Sequence, residues 1–490
     1  MALVKQLVLL VFKLSRCRPN TVTSVDESYM ELLAPEDETL PSLIDETCSA
    51  LEALEMVYRA NDTAVAESFN KMGQDLLHVL VTLIDEELNR RVVPETGTAQ
   101  ATLQTDKDAQ HAFRPIKKED SDAQLKVCDQ KTEPPPQQDT DSRPASVEST
   151  PELQRPITPL FLTMGSPEGN FLILKATKII GNLARVGQAT KPMAFFPGLI
   201  SCLLNLINYQ PYDSIPWEAR LSALWILGNL ACNPENMLMM TCTPGLIRSL
   251  VRVGCRALHK DYPMETTMEI LRSRSLSSRA LLNLSWKPEN KIPLSENLAL
   301  VELLGQLAVH RNAPAFNNSR TVRSILRQTR FHAVGALRNL AAAHRATKIH
   351  LCEYKNGHIL DALTDVALND PDKNIQNRAF AAIHNLAIHD TAERMVERPA
   401  LVLALKDVLL EERDAEDDKS KDGSPRSHAS ATLLVLERTI TPDMESYGNL
   451  RDLLDAINPS EPSENGGGDN NEGGDVQEDS STGNIKAIEV

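Results

Sequence analysis

Aromatic residues are scarce in this chain, making up 4% of its 490 positions. The apolar residues, 42% of the total, are mostly Ala, Leu, Val and Ile. β-Sandwiches and barrels draw on β-branched and aromatic side chains, so this mixture argues for close-packed helices. No run reaches the 18 or more apolar residues that a membrane-crossing helix needs. The eight cysteines form no CxxC pair, and none stands near a histidine at metal-ligand spacing. A reducing compartment, cytoplasm or nucleus, is therefore expected, with neither a metal site nor a disulfide framework. Cys202 and Cys232 fall in apolar stretches, where a free thiol acts as a small hydrophobe. Catalytic signatures are missing too: there is no GxxxxGK(S/T) phosphate loop, no GxSxG elbow and no HExxH pair. The 11 histidines are scattered, and His384, beside Asn385, has no acid or cysteine at useful spacing. No enzymatic activity and no cofactor are expected.

The charge is present but unevenly spread. The whole chain carries −16, yet residues 171–350 hold 22 Lys and Arg against 9 Asp and Glu, a local balance of +13. A basic middle between acidic ends points to an anionic partner or to association with the chain's own acidic segments.

Composition divides the chain into five parts. Residues 1–40 begin MALVKQLVLLVFKLSRCRPN, basic and acid-free. A mitochondrial presequence and a signal peptide are two readings of this start, and an ordinary amphipathic helix is the third. Lys13 interrupts the apolar run and no A-x-A-like cleavage site follows, which favours the third. Residues 41–93 read as helices, with an apolar run through LLHVLVTLI at 76–84. Residues 94–158 turn to Pro, Gln, Asp, Thr and Ser and are expected to be a disordered insertion, because they cannot bury enough apolar surface to order themselves. Helical patterning returns over 159–457, and 458–490 read as an acidic, disordered tail.

Within 159–457 the sequence repeats. KATKIIGNLA, SALWILGNLA, LSSRALLNLS, HAVGALRNLA and RAFAAIHNLA align to place Asn at 182, 229, 283, 339 and 385, at intervals of 47, 54, 56 and 46. Leu follows Asn each time, and a small residue follows Leu. Apolar or small residues at offsets −6, −3, −2 and +1 from Asn form one helical stripe. A second series precedes the first, led by turn residues: PGLISCLLNLI, PGLIRSLVRVG, LALVELLGQLA, GHILDALTDVA and PALVLALKDVL. A sixth, degenerate helix of the first series is expected at 427–438, with a cap at 443–457. Two series alternating at this period must stack on one another to bury their apolar faces.

These patterns resemble the armadillo repeat family over about 170–440: the turn-led helix is similar to its second helix, and A..AL.NL to its third. The resemblance implies an all-α, right-handed α-solenoid, here with the disordered insertion and the acidic tail added. Armadillo repeats run about 42 residues. The spacing from Leu199, Leu246, Leu300 and Ile359 to the following Asn is 30, 37, 39 and 26, so three repeats carry insertions between second and third helices. By the same logic 72–84 is the second helix of the first repeat, and 94–158 is an insertion within it.

The resemblance also suggests a function. In importin alpha, the third-helix Asn lines a concave groove and grips an extended peptide backbone, and a Trp four residues earlier cradles basic stems. Only Trp225 with Asn229 reproduces that pair; the equivalent positions hold Lys178, Arg279, Gly335 and Ala381. Asn182, Asn283, Asn339 and Asn385 complete the Asn set, with packing between repeats as the alternative role. Arg220, Arg274 and Arg330 each precede their Asn by nine residues, and Arg338 adjoins Asn339. Recurrent Arg grips carboxylates or phosphates, which resembles the basic groove of beta-catenin. The expected function is a monomeric adaptor or scaffold that binds other proteins through extended acidic or phosphorylated segments. Alternatives are a nuclear transport receptor and a nucleic-acid- or membrane-associated scaffold. Nucleic acid is disfavoured because no aromatics interleave the basic residues. RSRSLSS suggests phosphorylation at Ser275 and Ser277, and IKKE resembles a sumoylation acceptor at Lys117.

Overall fold

The computed structural model describes residues 5–7, 9–10, 40–60, 62–90, 167–210, 214–312, 319–411, 423–444 and 446–457. Among the described residues no strand occurs; the fold is all-α. Lys117, the segment 94–158 and the tail 458–490 lie outside them. Two compact units divide the chain, residues 1–336 and 337–490.

The first unit contains α1 (Leu40–Ala60), α2 (Asp62–Arg90), α3 (Pro167–Ala184), α4 (Gly187–Ala194), α5 (Leu199–Asn208), α6 (Trp217–Leu230), α7 (Pro234–Cys242), α8 (Leu246–Gly254), α9 (Met264–Leu284), α10 (Pro288–Ser295), α11 (Leu298–Ala308) and most of α12 (Arg320–Ala341). The Asn-bearing helices stack in order, α3 on α6 and α6 on α9. The turn-led helices back them, α5 on α6 and α8 on α9. Gly198 and Gly245 stand before α5 and α8 with φ of 83° and 79°, a left-handed conformation that favours glycine. Helix α2 packs on α3 and α5, as a second helix does, and α1 packs on α3. Their buried residues include Leu76, Leu80 and Ile84 on α2, and Leu51 and Leu54 on α1.

The second unit holds the last turn of α12, α13 (Arg345–Glu353), α14 (His358–Asn369), α15 (Lys373–Leu386), α16 (His389–Val396), α17 (Pro399–Glu411), α18 (Pro425–Thr439) and α19 (Tyr447–Ile457). Here α14 packs on α15, α15 on α18, and α17 on α18, while α19 packs on α17. Helix α18 is the sixth member expected from the degenerate pattern at 427–438.

The extra residues between second and third helices are partly helical rather than loop. Helix α9 begins 19 residues before Asn283 and α12 begins 19 before Asn339, against 12 for α6 and α15 before their own Asn. The added turns find a partner in each other: Leu271 of α9 packs with Val322, Ile325 and Leu326 of α12, over Leu258 and Met268. Burying that apolar surface stabilises the extension, at about 25 cal/mol per Å² removed from water.

Between each Asn helix and the next turn-led helix lies a short helix that the two series do not reveal: α4, α7, α10, α13 or α16. Helices α7 and α10 open on the same tripeptide, Pro-Glu-Asn, at 234–236 and 288–290. Asn236 and Asn290 are fully buried. Asn236 donates to Leu230 O and Thr190 O, both at 3.0 Å. Asn290 donates to Leu284 O at 2.9 Å and Met237 O at 3.0 Å. Each asparagine thus closes the end of its own third helix and ties it to the short helix one repeat earlier.

Candidate functional site

In the first unit α1, α3, α6 and α9 lie side by side, and their exposed edges frame two adjoining clefts. One, of about 390 Å³, is lined by Glu55, Arg59, Lys178, Asn182, Ser222 and Trp225, among others. The second, of about 510 Å³, is lined by Arg185, Thr190, Trp225, Asn229, Cys232 and Arg279, among others. Trp225 and Arg185 border both. Trp225 lies over Gly181 of α3, where a Cβ would stand 3.2 Å from the ring. The missing side chain lets the indole lie down on its neighbour, half-buried, with its remaining surface between the clefts. Four cations, Arg59, Lys178, Arg185 and Arg279, line these clefts against one carboxylate, Glu55. Glu55 already pairs with Lys175 at 2.8 Å and stands 3.9 Å from Lys178.

The repeated asparagines face their neighbours. Asn283 donates to Gly228 O at 2.9 Å and approaches Cys232 Sγ at 3.0 Å, so both of its N–H groups are engaged. Asn229 Oδ1 accepts from Arg279 Nη2 at 2.8 Å. In the second unit Asn385 donates to Arg338 O at 3.3 Å. Gly228 and Arg338 each immediately precede the Asn of the previous repeat, so the two links are equivalent. Asn339 is half-buried on α12, and Asn182 lines the smaller cleft.

The arginines nine residues before Asn turn to the joints between helices and do not line the clefts around Trp225; Arg274 lines a separate cleft of about 340 Å³ with Cys255, Gln306 and His310. Arg220 is 2% exposed and donates to Ile215 O at 3.0 Å. Arg274 donates to Arg256 O at 2.7 Å, and Arg330, 4% exposed, donates to His310 O at 3.5 Å. At the same place in α15, Gln376 donates to Asp370 O at 2.8 Å. All four carbonyls belong to the segment joining a second helix to its third, so this position carries a donor that closes that joint. Burial pulls the Arg274 guanidinium below its usual pKa. His310, beside it at 3.4 Å, is lowered to about 4, first by burial and then by the Arg274 charge.

Ser275 and Ser277 are 6% and 0% exposed, so a kinase cannot reach them in the folded chain. Two residues apart on a helix, they stand about 200° apart, so they are covered on different sides of α9, which packs against α6, α7 and α8. Cys202 is buried as expected, but Cys232 is exposed at the end of α6, where the apolar stripe gives way to the turn. Arg338 is exposed in the second unit. Arg59 and Arg185, which complete the cleft cations, escaped the sequence reading because α1 carries no Asn signature and Arg185 follows its Asn. Among the described residues no group of three or more His, Cys, Asp or Glu is placed to hold a metal, and no single helix is long and apolar enough to cross a membrane.

No family model matches the chain, and no curated protein matches it. Among solved structures, the crystal structure of an engineered protein is similar, at 18% identity over 55% of this chain and 92% of that one, with a TM-score of 0.40.

Proposed function

We propose that this chain is an armadillo-type, non-enzymatic adaptor that binds an extended acidic polypeptide segment along the third-helix edge of its first unit. One observation carries the reading: Arg59, Lys178, Arg185 and Arg279 border two adjoining clefts around Trp225, with Glu55 as the sole opposing carboxylate in their lining. Several cations spaced along one groove attract a chain of carboxylates, and a half-buried indole offers apolar surface between them. A carrier of basic peptides fits less well. The position that would hold the next cradling Trp holds Arg279 instead, whose charge repels a basic stem. Asn283 has both donors engaged within the protein, leaving only its oxygen for a peptide backbone.

The test uses fluorescence anisotropy with labelled 12-residue peptides of matched length: one Glu/Asp-rich, one neutral and one Lys/Arg-rich. The acidic peptide is expected to bind, and its affinity to fall as salt rises, because screening weakens exposed charge pairs. Preferential binding of the basic peptide would contradict the proposal.

A further inference from the structure

The cleft of about 340 Å³ that Arg274 lines shares no residue with the clefts around Trp225. It opens where the joints of the two lengthened repeats meet, the α8–α9 joint carrying Leu258 and the α11–α12 joint carrying His310. Arg274 bridges them: its Nη2 donates to Arg256 O of one joint at 2.7 Å, and its Nη1 stands 3.4 Å from His310 Nδ1 of the other. Its Nε is buried without a hydrogen-bond partner. Among the described residues no carboxylate pairs with Arg274, and none is in the cleft lining. The neighbouring Arg256 differs, since it pairs with Glu269 at 2.8 Å. His310 adds no charge near neutral pH, held neutral first by burial and then by the Arg274 charge. The cleft thus presents one cation. Gln306, exposed on α11, gives one amide N–H to Glu302 at 2.9 Å and keeps a second. The remaining lining is largely aliphatic, with Leu303 and Leu307 of α11 facing Leu258. Leu258 is itself held by the cluster that joins the added turns of α9 and α12.

We propose that this cleft binds an aliphatic monocarboxylate, with the carboxylate on the Arg274 guanidinium and the Gln306 amide and the hydrocarbon chain along Leu258, Leu303 and Leu307. A guanidinium drawn partly out of water without a counter-ion is costly, and a carboxylate matches both its single charge and its planar fork. A phosphoryl group, with a charge near −2, would leave one charge unmatched, because the rest of the lining is neutral. The site belongs to the lengthened repeats, since its walls come from the joints that the insertions add.

Cys255 makes the proposal testable. It lines the cleft and is exposed, so its alkylation by iodoacetamide reports occupancy. Cys232 and Cys242, exposed elsewhere, serve as internal controls, and the buried Cys202 and Cys352 stay unlabelled while the chain is folded. The experiment follows labelling of each cysteine in the full chain by mass spectrometry, against increasing sodium hexanoate at constant ionic strength, with hexanol and hexylammonium in parallel. Hexanoate is expected to slow Cys255 at least fivefold at saturation and to leave Cys232 and Cys242 unchanged, while the neutral and cationic analogues slow none of them. From butyrate to hexanoate the half-protecting concentration should fall about tenfold, since burying each methylene is worth about 0.8 kcal/mol. Gln306→Glu, an exposed change that sets a like charge at the carboxylate end, is expected to raise it at least threefold. Acetyl-Gly-Gly-Leu carries the same chemistry at a polypeptide end: protection at lower concentration than hexanoate assigns the site to a chain terminus, and at higher concentration to a free acid. No protection, equal slowing of all three cysteines, hexanol protecting as well as hexanoate, or indifference to Gln306→Glu would each overturn the proposal.

Discussion

Arg279 of α9 reaches back across one repeat and donates to the side-chain oxygen of Asn229 on α6 at 2.8 Å. The edge beside Asn283 thus carries a cation held in place by the preceding repeat's asparagine. A double-mutant cycle with Arg279→Ala and Asn229→Ala is expected to show coupling of about 0.5–3 kcal/mol, as contacting pairs do. Additive effects on urea unfolding would show that the pair does not act as a unit.

Arg274 separates packing from binding. Replacing it with Met keeps much of the side-chain volume but leaves the Arg256 carbonyl without its donor. The expected loss of stability is about 1.5–3 kcal/mol, the worth of a hydrogen bond from a charged donor, read as a shift of the urea midpoint. Acidic-peptide affinity should change less than twofold. A large loss of affinity with little loss of stability would return Arg274 to the groove.

Much of the fold was legible in the sequence, because the Asn-Leu-small signature and the turn-led Leu pattern both mark helices that bury one face. The short helices were not, since α7 and α10 bury few apolar residues and are fixed instead by Asn236 and Asn290. The candidate site was legible only in part, and the reason is angular. Nine residues at 3.6 per turn are about two and a half turns, so Arg220, Arg274 and Arg330 stand opposite Asn on their helices and face the joint behind. Four residues are little more than one turn, so Lys178, Trp225 and Arg279 share the Asn edge. A count of basic residues over 171–350 mixes these two faces and overstates the groove.

His310 makes stability depend on pH. Its folded pKa, about 4, lies below the usual 6.5 because of burial first and the Arg274 charge second. The unfolded chain therefore binds the proton first. Stability is complete above about pH 6.5 and is lost as pH falls toward 4, at no more than about 1.4 kcal/mol per unit for one proton. His310→Gln is expected to flatten the difference between urea midpoints at pH 7.5 and pH 5.0. An unchanged difference would assign the acid sensitivity to other groups.

Asn290 tests the joint between repeats. Asn290→Ala removes the side-chain donor that joins Leu284 O to Met237 O inside the protein, at a cost of about 1–3 kcal/mol. Asn290→Asp should cost more, because a carboxylate cannot donate and would face two carbonyl oxygens. Equal stability of Asp and wild type in chemical denaturation would contradict this role.

The central claim is that the clefts around Trp225 select an acidic chain by charge. Reversing Arg59, Lys178, Arg185 and Arg279 to Glu together, and measuring the dissociation constant of the Glu/Asp-rich peptide by anisotropy at low and high salt, tests it most directly. Each exposed contact is worth about 0.2–1 kcal/mol, so the four together are expected to weaken binding at least tenfold, which needs about 1.4 kcal/mol. The difference should shrink at high salt. A folded variant that binds the acidic peptide as tightly as wild type would contradict the account.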